Sequence, residues 1–394
     1  MTLIASTLNH QMPFLMSDLL WSSEQSNEPV RFPTNIFDPS PYLPADQENK
    51  PIKLGQKMYF IKDKVCIVFA GLSEEILNFL TLMKHSFNGY DEITKEDIHR
   101  FLQKYKLHRN FRDSAFFIVH VKNSTATSIE VSQFYSPSET NMVDPVQLNT
   151  EEGSWNIMYN DIYEKVSACG DGTKGFLNVI KQAGELRTRF QQGDFMRAVQ
   201  TNTILIAKLL TLERVSLYTL KENWGGGFET AYYTGEKFEK IHEIAYVINH
   251  GQFDISGDIG LPIPILIMYY KYVRDVLYIV AVEVRKYAIR ETGGFVTFTS
   301  LAGDFLTTLY EVEGIDVANI EDYELPSDFS FITDKVSMGY SLITDKNVIY
   351  NPAFFNLGVG VSINFQQGKS IEISILKEFI EEIRNSSKEV FPNL

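Results

Sequence analysis

Between residues 3 and 233 the hydrophobic period of the chain changes in a fixed order, and that order restricts the fold more than any single motif does. Residues 3–7 and 13–17 read as strands joined by the polar turn Leu8-Asn9-His10-Gln11, because they alternate or carry β-branched side chains. Residues 57–61 and 65–70 repeat the pattern around Lys62-Asp63-Lys64. The period then becomes helical. Gly71 precedes a helix that Ser73 is placed to cap, with Glu74 and Glu75 at its positive end and Ile76, Leu77, Leu80 and Met83 on one apolar face. Thr94 and Asp97 resemble a capping box opening a second helix, whose stripe is Ile98, Phe101, Leu102 and Tyr105. Residues 116–121 and 127–131 return to strands. The turn Ala168-Cys169-Gly170-Asp171-Gly172 feeds a helix with Phe176, Val179, Ile180 and Ala183 on its face, and a further helix is expected from about 194 to 212. Residues 215–220 and 228–233, on either side of Gly225-Gly226-Gly227, complete the series as strands. Such an order implies an α+β fold: two antiparallel sheets face to face, with a helix pair on each outer side, a four-layer αββα sandwich.

From about residue 236 the character changes, and a chain of 394 residues is long enough for two domains. The division expected is 1–235 and 236–394. The second part reads as a mixed α/β C-terminal region, with strands or buried segments at 242–249, 276–284, 295–299 and 359–365 and a terminal helix over 371–385. It carries no catalytic motif and no repeat of the first part, so assembly or partner binding is its expected role. Between residues 22 and 53, Pro29, Pro33, Pro39, Pro41, Pro44 and Pro51 interrupt any regular pattern, predicting a long irregular loop of the functional or mobile kind.

A formal net charge of -14 disfavours a phosphate backbone as partner. The most apolar run, residues 261–270, contains two prolines and is too short to span a bilayer, so it reads as a buried segment, and residues 268–272 read as core or subunit interface. The first residues lack a signal-peptide pattern, and Cys66 and Cys169 are too few to staple a chain of this size. A cytoplasmic protein without membrane or nucleic-acid contacts is expected. The seven histidines show no metal-ligand spacing, and no Lys-Ser or Lys-Thr follows Gly170 and Gly172 as a phosphate loop requires. Neither a metal nor another cofactor is expected.

An N-terminal hydroxyl nucleophile needs few parts. The hydroxyl attacks a carbonyl while the α-amine of the same residue takes its proton. A nearby ammonium lowers the pKa of that amine, a carboxylate holds the ammonium, and backbone N–H groups stabilise the oxyanion. Thr2 would be such a residue once Met1 is removed. Asp18 ends the second strand, Lys57 opens the third, and Ala70-Gly71 ends the fourth.

Thr2-Leu3-Ile4-Ala5-Ser6, Phe14-Leu15-Met16-Ser17-Asp18, Lys57-Met58-Tyr59-Phe60-Ile61 and Val68-Phe69-Ala70-Gly71, in this order and at these intervals, resemble the opening of a proteasome β subunit. They are also similar to the peptidase subunit of the bacterial two-component ring protease. The resemblance implies an N-terminal nucleophile (Ntn) hydrolase, a threonine peptidase or amidase acting on peptide or protein substrates. Thr2 would be nucleophile and base, Asp18 the acid orienting Lys57, Lys57 the cation that tunes the amine, and Gly71 an oxyanion donor. Gly170, Asp171 and Gly172 match the Gly-Ser-Gly segment of that family, with Asp171 in place of its serine. Glu222 stands where an aspartate supports the amine, and Gly225 where a serine does so. The family implies a homo-oligomer, with an unfoldase or another protein as partner. It also contains catalytically inactive structural subunits, the alternative reading of this chain.

Overall fold

In a computed structural model of the chain, the residues described are 3–9, 12–23, 30–35, 50–105, 110–111, 113–123, 129–136, 155–158, 165–183, 194–216, 219, 224–251, 260–273, 275–314, 328–333, 335–343, 349–350, 353–357 and 360–381. Its first part contains β1 (Leu3–Asn9), β2 (Met12–Asp18), β3 (Leu20–Ser23), β4 (Lys50–Leu54), β5 (Met58–Lys62), β6 (Val65–Gly71), α1 (Ser73–Phe87) and α2 (Lys95–Tyr105). These are followed by β7 (Ser114–Asn123), β8 (Ile129–Ser136), β9 (Trp155–Met158), β10 (Lys165–Gly170), α3 (Thr173–Ala183), α4 (Asp194–Ser216), β11 (Phe228–Tyr233) and β12 (Phe238–Lys240). The chain is α+β and mostly sheet.

Two antiparallel sheets form from these strands, one in the order β12-β11-β2-β1-β10-β9 and one in the order β5-β6-β7-β8. Strand β6 shows why its sequence is a continuous apolar run. Val65, Ile67 and Phe69 point to a cluster shared with α1 and α2, whereas Cys66, Val68 and Ala70 point to one shared with Ile4, Leu15 and Cys169 of the other sheet. A strand buried on both faces has no polar side to alternate. On the far face of the six-stranded sheet, Leu3, Ala5, Phe14 and Met16 pack with Phe176 of α3 and Leu205 and Leu209 of α4.

That last cluster does not end at the helices. The second part contributes β13 (Ile244–Gly251), β14 (Ile263–Val273), β15 (Val276–Val284), β16 (Ala288–Thr292), β17 (Phe295–Leu301) and β18 (Phe305–Val312). After them come β19 (Ser330–Thr333), β20 (Lys335–Ile343), β21 (Ile349–Tyr350), β22 (Ala353–Leu357), β23 (Val361–Gln366) and β24 (Ser370–Leu376). One sheet runs β18-β15-β14-β13-β20-β21, with β22 also paired to β20, and another runs β16-β17-β24-β23-β19. Ile244, Tyr246, Met268, Tyr270, Ile279 and Val312 join the cluster around α4. The intervening residues Ala245, Val247, Ile267, Tyr269 and Val280 face the five-stranded sheet instead. One apolar core therefore crosses from the first part of the chain into the second, and residues 268–270 of the apolar run lie in it or beside it.

Several local expectations change. The capping box is present: Thr94 N–H donates to Asp97 Oδ2 at 3.0 Å and Asp97 N–H to Thr94 Oγ1 at 3.2 Å. At α1, however, Leu72 rather than Ser73 holds the cap position, and no side chain bonds there. Phe79 is buried on α1 while Leu77 is exposed. Residues 215–216 continue α4 instead of starting a strand. Residues 371–376 are strand, not helix, followed by a helical turn at 377–381. There the alternation of Ile371, Ile373 and Ile375 faces Val361, Ile363 and Phe365 of β23; β-branched cross-strand packing outweighs the helical spacing. The ends of the proline-rich segment pair as β3 and β4, and Phe32 between them is fully buried with Leu20.

Candidate functional site

Asp18 sits where the chain leaves β2, and its fully buried carboxylate collects three donors. Leu3 N–H, at the start of β1, donates to Oδ1 at 3.0 Å. The Lys57 ammonium lies 2.6 Å from the same oxygen, and Gly225 N–H donates to Oδ2 at 2.9 Å. Lys57 immediately precedes β5 and is 3% exposed; its Nζ also donates to the Leu20 carbonyl. Burial pushes its pKa down, opposed by the charge and hydrogen bond of Asp18 and by the charge of Glu229, and the net direction is down. A charge pair this deep persists because each partner has further hydrogen bonds beside the pair itself; removing one would strand the other.

A second buried carboxylate fixes the lysine backbone. Glu229 of β11 accepts Lys57 N–H and, at 3.0 Å, the Ser17 hydroxyl, while Lys240 Nζ lies 3.1 Å from its other oxygen. Lys240 also donates to Gln56 Oε1.

The two glycine turns meet at Trp224. A side chain at Gly172 would run into the Trp224 ring at 2.5 Å, and that ring is 1% exposed. Gly225, Gly226 and Gly227 all have positive φ, which only glycine adopts without strain. Beneath this turn is Glu213, in the last turn of α4. It accepts hydrogen bonds from the Thr34 hydroxyl, the Thr219 hydroxyl at 2.8 Å and Gly226 N–H at 2.9 Å. Burial raises its carboxyl pKa to about 7 against the pull of those donors, and the nearby Asp18 adds to the rise.

No protein-family model matches the sequence, and no curated protein matches it. The site is thus read from its own geometry. Asp18, Lys57 and Gly225 are joined directly. Gly170 lies across from Leu3 in the β1–β10 ladder, and Gly172 reaches the assembly through Trp224. Gly71 ends β6 with φ 115°, backed closely by the Asp113 carbonyl, and its neighbour Ala70 shares a cluster with Ile4. Asp171 is exposed in its turn. Thr2 and Glu222 lie outside the described residues.

The sequence reading missed Gln56, Glu213, Glu229 and Lys240. Two of them carried a signal. Glu213 is an anion near a helix C-terminus, where the dipole disfavours it, and Glu229 is an isolated charge within the strand Phe-Glu-Thr-Ala-Tyr-Tyr. Among the described residues no group of three His, Cys, Asp or Glu side chains could hold a metal, and no helix is long and apolar enough to cross a membrane. Both cysteines are free and buried.

Proposed function

We propose that the chain is a proteasome-like Ntn hydrolase that cuts peptide or amide bonds with Thr2 as nucleophile after Met1 is removed. The carrying observation is the Asp18 carboxylate, which binds both the Lys57 ammonium and Leu3 N–H. That N–H belongs to Leu3, the residue that follows Thr2 in the sequence, so the described chain is anchored next to the proposed nucleophile by the carboxylate that holds the buried cation. The arrangement of a helix pair, two sheets and a second helix pair supports the four-layer sandwich expected of such enzymes.

In this reading the Thr2 hydroxyl adds to the substrate carbonyl and its proton passes to the free α-amine, kept neutral by the Lys57 charge. The carbonyl oxygen becomes an anion facing Gly71 N–H. Collapse breaks the C–N bond, the leaving amine takes the proton, and water hydrolyses the Thr2 ester. Peptide or protein substrates, a homo-oligomer, an unfoldase or other protein partner and a cytoplasmic setting complete the proposal; two buried free thiols fit a reducing compartment.

A second reading, an inactive structural subunit, is favoured by two features. Gly225 brings no hydroxyl to the amine, and Asp171 faces solvent. Intact mass of the purified protein tests both. Loss of Met1, together with peptide-epoxyketone labelling that disappears in Thr2→Ala and slows by about 10²-fold or more in Lys57→Ala, supports the enzyme. Quantitative retention of Met1 sinks the peptidase and leaves the structural subunit.

A further inference from the structure

The residue before Lys57 connects the candidate site to the second half of the chain. Gln56 is 1% exposed and lies outside any strand, yet its backbone N–H and both ends of its side-chain amide are engaged. Its backbone N–H donates to the Glu313 carbonyl at 2.8 Å. Its side-chain amide nitrogen donates to the Asp275 carbonyl at 2.6 Å and the Val312 carbonyl at 2.7 Å. Its amide oxygen accepts from Lys240, which pairs with the Glu229 carboxylate that receives Lys57 N–H.

We infer that Gln56 is a positioning residue through which the second half of the chain, by backbone carbonyls at 275, 312 and 313, sets the place of Lys57. Neighbouring contacts narrow the role. Gly55 N–H is held by the Leu19 carbonyl at 2.9 Å, and the Lys57 carbonyl accepts Phe69 N–H at 3.0 Å. Residues 55–57 make no strand ladder of their own, so these bonds and those of Gln56 locate the lysine. Filling the space would need only an apolar side chain; two carbonyls and one ammonium converging on one amide fix an orientation as well. The β14–β15 turn and the end of β18 are then parts of the site, not an appended module. The same scaffold touches the site's rim, because Tyr310 Oη donates to the Phe32 carbonyl at 2.9 Å.

The chemical meaning of this inference rests on the proposed function, but its geometry does not, and two readouts keep them apart. In the full chain, Gln56→Met preserves volume and removes the amide. Epoxyketone labelling should slow by roughly tenfold or more, with its pH profile displaced. Lys57, followed by NMR of ¹³Cε-labelled lysine and assigned with Lys57→Arg, should titrate at higher pH as water reaches it. If wild-type protein is never labelled, the hydrolase reading fails while the lysine titration still tests Gln56. Should Gln56→Met not fold, Lys240→Met loosens the same chain from its other end and should raise the Lys57 titration likewise. A variant that melts earlier but leaves both the lysine titration and the labelling profile unchanged overturns the inference.

Discussion

The Lys57 ammonium sits 2.6 Å from Asp18 Oδ1 with both side chains closed off from solvent. Asp18→Asn would leave that cation facing a neutral amide and would give Leu3 N–H, Gly225 N–H and the ammonium one good acceptor between them. The expected loss is about 3–5 kcal/mol of folding stability, read as a fall in the urea midpoint at unchanged slope. A change below about 1 kcal/mol, the scale of an exposed pair, would mean that the charges are not enclosed.

Glu213 makes stability depend on pH. Its folded pKa of about 7 lies above the ordinary 4.5, so the native state binds this proton more tightly than the unfolded chain. The resulting stabilisation is complete below pH 4.5 and is lost as pH rises through 7. It amounts to something on the order of 3 kcal/mol. Glu213→Gln keeps the shape and removes the titration. The stability difference between the two proteins should therefore shift across this window in the variant's favour as pH rises; a pH-independent difference would contradict the assignment.

Gly339 of β20 lies against α4. A methyl group there would collide with the Thr211 hydroxyl and come within 2.7 Å of the Ala207 carbonyl, so Gly339→Ala should cost about 2 kcal/mol as strand and helix separate. The readout is unusually selective. The three tryptophans, Trp21, Trp155 and Trp224, all precede residue 236. Their fluorescence should nevertheless report an earlier unfolding midpoint, because the core around α4 is shared. An unchanged tryptophan transition would mean that the two parts unfold independently.

Much of the first part was legible because its elements obey local rules. Thr94 and Asp97 announced a helix start that the hydrogen bonds reproduce, and the turns at Gly170 and Gly225 fall where φ is positive. Asp18 and Lys57 were found through their order and intervals along the chain, and the packing of one sheet on the other brings them together. What escaped was non-local. Gln56 has no pattern of its own, since its partners are main-chain carbonyls whose identity no side chain records. The strand at Ser370–Leu376 was hidden because Ile373 and Leu376 also follow helical spacing when read with Phe379, Ile380 and Ile383. Only the facing β23 decides between the two.

The bond from Gln56 to the Val312 carbonyl joins residues 256 positions apart in sequence. Contacts this distant form late, after the intervening chain is available. On the ribosome, the β1–β2 hairpin, Asp18 and Lys57 emerge long before the carbonyls that fix Gln56. If the hydrolase reading holds, a nascent chain carries the parts of its active centre without their final alignment until its last third has been made. The order of synthesis would then act as a safety interval, withholding proteolysis while the polypeptide is still exposed to itself.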